Sequence, residues 1–159
     1  MPPLLATTSR PGDLSSLQPG TLMRVEGVDY LVERSLILEH DGLRWTEHRL
    51  SSDACGRSLW LEVPENQAPL VVHERAAQLV PVADLRLLEG AAPSTGVLLA
   101  AGKATYRTIE RAGAGKRGDL FYVGYGCGDR RVTFERHRED EPWQVWHGRL
   151  IDSSSVRLA

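Results

Sequence analysis

Apolar and polar residues alternate with a period of two over most of this chain, and turn signals interrupt the alternation at short intervals. That period is the mark of strands with one buried face. Pro19-Gly20 opens a first run at 21–26, and Gly27-Val28-Asp29 reads as a turn. In the long run 30–38 Tyr30, Val32, Leu36 and Leu38 share one face by the period of two. His40-Asp41-Gly42 is a hairpin signal of the Asp-Gly kind. Residues 43–50 then set Trp45 and Glu47 on one face, with Thr46 and His48 on the other. A polar loop at 51–57 leads to a strand at 59–63, whose inner face is read as Leu59, Leu61 and Val63, and Pro64 ends it. Residues 70–72 form a short strand, 73–80 read as one or two helical turns, and 84–88 as a further strand.

After a linker at 90–96 the style repeats. Strands are expected at 103–111, 119–125, 131–137 and 143–151, the last closing the fold. Residues 119–125 are apolar on both faces, as a central strand should be. The pattern predicts a mainly β protein with little helix. It divides into two small antiparallel barrel or sheet halves that form a pseudo-repeat. The boundaries are a flexible arm at 1–17, a first half at 18–89 and a second half at 97–159, with one continuous domain as the alternative.

Composition narrows the class. At 159 residues the chain buries roughly 70% of its unfolded surface, enough for a core without staples. A net charge of -2 gives no general field for nucleic acid or acidic lipid, so neither nucleic-acid binding nor strong direct membrane binding is expected. The start lacks a basic n-region and a long apolar run, and no stretch reaches the ~18 apolar residues of a membrane span. A cytoplasmic location with reduced thiols follows as the expectation, a Cys55–Cys127 disulfide being the weaker reading.

Candidate chemistry is sparse. The five histidines never fall at metal-ligand spacing, so no metal and no cofactor are expected. Cys127 lies between Gly126 and Gly128 with no base or helix N-terminus signalled beside it, which suits a tight hairpin better than a nucleophile. No catalytic residue set emerges. The Gly-rich segment 112–118 fails the phosphate-loop spacing. Its Lys116 and Arg117 form a basic hairpin tip, a speculative contact for an anionic surface. The most distinctive pairs are Trp45 with Glu47 and Trp60 with Glu62. Aromatic face plus carboxylate is the chemistry that binds amines. The plainer alternative is that each Trp packs the barrel and its Glu pairs with Arg44, Arg49 or Arg57.

The run Gly27-x-x-Tyr30, Trp45-x-Glu47-x-x-Leu50 and Trp60-Leu61 resembles the first half of a bacterial family known as domain of unknown function 4178. The second half is similar through Tyr106, Tyr122-x-x-Tyr125, Glu135 and Trp146-x-Gly148. The resemblance spans about residues 17–158. His48 departs from it, an aromatic being expected there. The resemblance implies no agreed catalytic residues. It does imply a neighbourhood of membrane-stress proteins and polyamine-synthase-like enzymes. The first functional expectation is therefore a non-catalytic accessory or interaction module with a protein partner, in an envelope-stress or polyamine-related operon. The second is a small-molecule sensor that binds a cationic ligand at the Trp/Glu face. A concave pocket joining Trp45 and Glu47 favours the sensor; a flat apolar patch favours the interaction module.

Overall fold

The computed structural model describes residues 14–54, 56–80, 96–110 and 115–158, with the side chains of 77–80 excepted. Ten strands carry the described fold: β1 (Leu22–Val25), β2 (Val28–His40), β3 (Leu43–Ser52), β4 (Arg57–Pro64), β5 (Leu70–Val80), β6 (Val97–Thr108), β7 (Arg117–Cys127), β8 (Arg130–Arg136), β9 (Trp143–Ile151) and β10 (Val156–Leu158). The helical content described is two short 3-10 turns, Leu14–Ser16 and Ser153–Ser155.

The strands run in the order β10-β1-β2-β3-β4-β5-β9-β8-β7-β6, and β6 returns to pair with β2. That last pairing closes an eight-stranded antiparallel barrel from β2 to β9. Closure removes the exposed edges that an open sheet would carry. The two expected halves therefore contribute to one barrel. β1 and β10 lie outside the ring, paired to each other and, through β1, to the start of β2.

β2 holds the architecture together. Its first residues pair with β1 and its last with β6, while β3 pairs along its other edge. A bulge between Val32 and Arg34 interrupts the β2–β3 register. An extra residue flips the alternation. Tyr30 and Val32 thus face one way, and Leu36 and Leu38 the other, so the single face expected for all four is corrected. The Asp-Gly turn is present as read: Asp41 has φ 48° and Gly42 φ 78°, the paired positive values of a two-residue hairpin that twists with its strands. Between β1 and β2 the same device uses Glu26 (φ 49°) and Gly27, so Val28 and Asp29 belong to the strand.

Three further expectations change. Residues 73–80 continue β5 as strand, because His73, Glu74 and Arg75 pair with Gly148, His147 and Trp146 of β9. The ladder outweighs the local helical tendency of this Ala- and Glu-containing run. Residues 156–158, past the expected last strand, form β10. At the end of the expected arm, Leu14 and Leu17 are buried in the core. Residues 1–13, the expected strand at 84–88, most of the 90–96 linker and Cys55 of the possible disulfide lie outside the described residues. Residues 119–125 lie in β7, which pairs with β6 and β8 as every strand of the closed ring pairs with two neighbours.

Two apolar layers cover the barrel wall from outside. Leu50, Leu59, Leu61, Val63, Leu70 and Val72 of β3–β5 pack with Met23 and Val25 of β1, Val156 of β10, and Leu14 and Leu17. On the wall made by β7–β9, Val123, Tyr125, Val132, Phe134, Trp143 and Val145 form the second layer. His48 sits in the first layer fully buried. Its Nδ1 lies 2.7 Å from Ser35 Oγ and its Nε2 2.7 Å from the Leu14 carbonyl oxygen. A neutral ring satisfies both: Nε2–H donates to Leu14, and Ser35 donates to Nδ1. This explains an imidazole at the position where an aromatic was expected, because it ties the incoming chain to β2 and β3.

Phe134 has 0% exposure, so Phe134→Ala should cost about 3–5 kcal/mol in urea unfolding. Trp45 and Trp60 are only half-buried, and their truncation should cost less. Burial holds the His48 pKa down at about 4, against 6.5 for a free ring, despite the Leu14 bond that favours charge. A ring kept neutral by folding contributes stability above pH 6.5 that is lost as pH falls through about 4. Imidazole NMR should show His48 unprotonated at pH 5.

Candidate functional site

The faces opposite the two outer layers converge inside the barrel. Strand pairing sets Glu47 directly across from Glu62, Arg49 across from Trp60, and Trp60 across from His73. On the far wall Glu135 pairs with Tyr122 and with Gln144. Residues paired across neighbouring strands share a face, so the Trp45/Glu47 and Trp60/Glu62 pairs line one lumen. The β2, β6 and β7 side of that lumen is apolar, built from Leu36, Leu38, Ala104, Leu120 and Tyr122, with Tyr106 against them.

The lumen contains a cavity of about 680 Å³ whose walls include Glu47, Trp60, His73, Glu135 and Trp146. A smaller space of about 210 Å³, bounded by Trp45, Glu62 and Tyr122, lies on the other side. Glu47, His73, Leu120 and Glu135 border both, so they form a waist between two aromatic chambers. Trp60 and Trp146 meet edge to face at 6.1 Å in the larger chamber, and Trp45 and Tyr122 at 5.6 Å in the smaller. At the mouth of the larger chamber stand Arg34, Arg49, Arg57 and Arg75.

The waist is electrostatically costly. Burial raises the Glu47 pKa to about 7; the Glu62 charge adds to the rise, while His73 and the Trp45 hydrogen bond oppose it. Glu135 is pushed well above the carboxylate range by burial, and then by Glu47 and Glu62. Burial works against a charged His73, but its contact with Glu62 and the charges of Glu62 and Glu47 prevail, leaving its pKa raised. Its Nε2 lies 3.5 Å from Glu62 Oε1. Trp45 Nε1–H donates to Glu47 at 3.1 Å. Burial, and then the repulsion of like charges facing one another, leave Glu47 and Glu135 holding protons at pH values where ordinary carboxylates are ionised.

Glycines make room for these rings. A Cβ at Gly148 would lie 2.6 Å from His73 Nδ1, and one at Gly118 2.5 Å from the Tyr106 hydroxyl. Among the described residues, His73 Nδ1 and Trp146 Nε1 are buried with no hydrogen-bond partner, which is unusual for polar atoms in native interiors. His40 Nδ1 and the Tyr122 hydroxyl are 2.7 Å apart at the far end of the lumen.

All four aromatic and acidic residues singled out from the sequence reach the lumen. The arginines offered as their partners do not take that role: Arg44 pairs with Glu39, Arg49 with Glu33, and Arg57 with Glu74. Lys116 and Arg117 are exposed at the β6–β7 hairpin and border neither chamber. Residues 112–114 of that tip lie outside the described residues. Cys127 ends β7, half-buried and away from both chambers. Sequence reasoning did not assign a site role to Glu135, His73, Trp146 or the arginine mouth. Only strand parity on β5, β8 and β9 could have pointed to them. Among the described residues no group of three or more His, Cys, Asp or Glu is arranged to hold a metal ion, and no helix is long and apolar enough to cross a membrane.

A closed barrel with an acidic, aromatic lumen defines a class of small β-barrel with a ligand-sized interior. The chain belongs to the family described as Domain of unknown function (DUF4178), whose model matches residues 18–153. No curated protein and no solved structure matches it. Of the residues that carried the resemblance, Trp45, Glu47, Trp60, Tyr106, Tyr122, Glu135 and Trp146 line the chambers and Gly148 seats His73, while Tyr30, Leu50 and Leu61 belong to the outer core.

An acid whose pKa is raised by folding binds more protons folded than unfolded. The stability Glu47 contributes by holding its proton is complete below about pH 4.5 and is lost as pH rises through about 7. Glu47→Gln mimics the protonated form. It should leave stability unchanged near pH 4.5 and raise it at pH 8 by on the order of 3 kcal/mol at most. Urea unfolding at both pH values measures the difference; equal stability of the two proteins at pH 8 would contradict the buried-carboxylate assignment.

Proposed function

We propose that this protein is a non-catalytic binding module that takes a protonated amine in its lumen. The observation that carries the reading is the convergence of Glu47, Glu62 and Glu135 between the Trp60–Trp146 and Trp45–Tyr122 pairs. Glu47 and Glu135, held at high pKa by burial and then by neighbouring carboxylates, gain most from a cation placed among them, since it relieves the repulsion as a proton does. Indole faces add cation–π attraction in a site shielded from water. An ammonium donates its three N–H groups, matching the acceptors of the waist. No reaction chemistry is needed for this role: the module recognises and releases. In the cell it acts as a cytoplasmic accessory component that reports amine availability to a protein partner, in keeping with the envelope-stress or polyamine setting that the family resemblance implies.

The reading is tested with ethanolamine as probe, followed by tryptophan fluorescence and calorimetry. Binding should strengthen as pH rises through about 7, the Glu47 value, because the proton competes with the amine below it. It should release protons to the buffer. Glu47→Gln should weaken it about tenfold or more, the scale of a lost charge-assisted hydrogen bond. Binding that is independent of pH between 5 and 8 and of Glu47 would remove the proposal.

A further inference from the structure

The arginine mouth adds a second half to the ligand. Arg34 and Arg49 are directly paired across β2 and β3, and both border the larger chamber with Arg57 and Arg75. Like charges directly opposite destabilise a sheet unless something neutralises them. Glu33 pairs with Arg49 at 3.4 Å, and Glu74 pairs with Arg57. Among the described residues Arg34 and Arg75 have no carboxylate partner. Two guanidiniums are thus left over at the entrance of a chamber whose floor is acidic.

The strands fix how far the two ends are apart. Arg49 follows Glu47 by two residues on β3, and Arg75 follows His73 by two on β5. One same-face step along a strand is about 7 Å. A molecule with a cationic end and an anionic end on a short alkyl linker spans that step. We propose that the lumen binds an amine that also bears a phosphate group, with the ammonium at the Glu47–Glu135 waist and the phosphate between Arg34 and Arg75. The charge matches, since a phosphate monoester carries about -1.5 to -2 at neutral pH. The geometry of the donor matches as well, because the planar guanidinium fork suits phosphate oxygens. A polyamine, cationic at both ends, would place one ammonium among the arginines and be disfavoured there. The proposal rests on the amine reading above and adds the anionic end to it.

An ammonium and a phosphate joined by two carbons occur both in free phosphoethanolamine, a monoester, and in the phosphatidylethanolamine headgroup, a diester with a single negative charge. Fluorescence titration at pH 8 with ethanolamine, inorganic phosphate and O-phosphoethanolamine separates the two halves of the ligand. Sedimentation with phosphatidylcholine vesicles, with and without phosphatidylethanolamine, separates the two sources. We expect O-phosphoethanolamine to bind at least about tenfold tighter than either fragment. Arg34→Gln with Arg75→Gln should bring it down to the level of ethanolamine, with the melting curve of the variant showing that it folds. Sedimentation only with the phosphatidylethanolamine vesicles would assign the same site to the membrane-held headgroup. If O-phosphoethanolamine and the vesicles bind no better than ethanolamine, the anionic half is wrong and the amine reading stands. If phosphate binds as tightly as O-phosphoethanolamine and ethanolamine does not bind, both fall.

Discussion

The bulge after Val32 is the constraint on which the rest of the structure depends. One extra residue in β2 turns its side chains over halfway along, so Tyr30 and Val32 join the outer core while Leu36 and Leu38 enter the lumen. The same strand bonds β1 with its first part and β6 with its last. Without the change of face, either the outer layer or the lumen wall would receive the wrong side chains. With it, a single strand serves both the barrel and the β1–β10 cover.

Closure then creates the electrostatic situation inside. A strand pair in an open sheet can present Glu47 opposite Glu62 to water at little cost. In the closed barrel Glu135 faces them from the other wall, and solvent no longer screens the three charges well. The molecule keeps the cluster by protonation and by contact with His73, while the apolar layers that stabilise the fold sit outside the ring. The stabilising apolar layers and the proposed recognition site thereby lie on opposite faces of the same strands. An interior that is acidic at the waist, aromatic in the chambers and basic at the mouth is poorly suited to folding alone and well suited to a ligand of mixed charge.

The outer face offers less to a functional reading. Its exposed large apolar residues, Leu22, Leu31, Leu43, Val97, Leu98 and Leu99, are divided among β1, β2, β3 and β6. Leu43 and Leu99 also border the smaller chamber, so part of this apolar surface belongs to the lumen. The concave site, which joins Glu47 to the tryptophans on both sides, is the feature on which the proposed ligand-binding reading rests.

The sequence by itself determined the mainly β class, the Asp41-Gly42 hairpin, the two apolar faces of β7 and the shared face of Trp45 with Glu47. Each of these is a local matter of period, turn chemistry or hydrophobicity on two faces. It also placed Trp60 beside Glu62, because alternation within one strand needs no knowledge of the partner. Only the tertiary structure decided the rest. Residues 73–80 looked helical until β9 supplied a ladder for them. The face of Leu36 depended on a bulge that no residue type announces. Glu135, His73 and Trp146 lie on strands far apart in sequence and meet only because β6 returns to β2. A pKa of about 7 for Glu47 arises from that meeting, since desolvation and repulsion between distant residues are properties of the closed barrel and not of any segment of the chain.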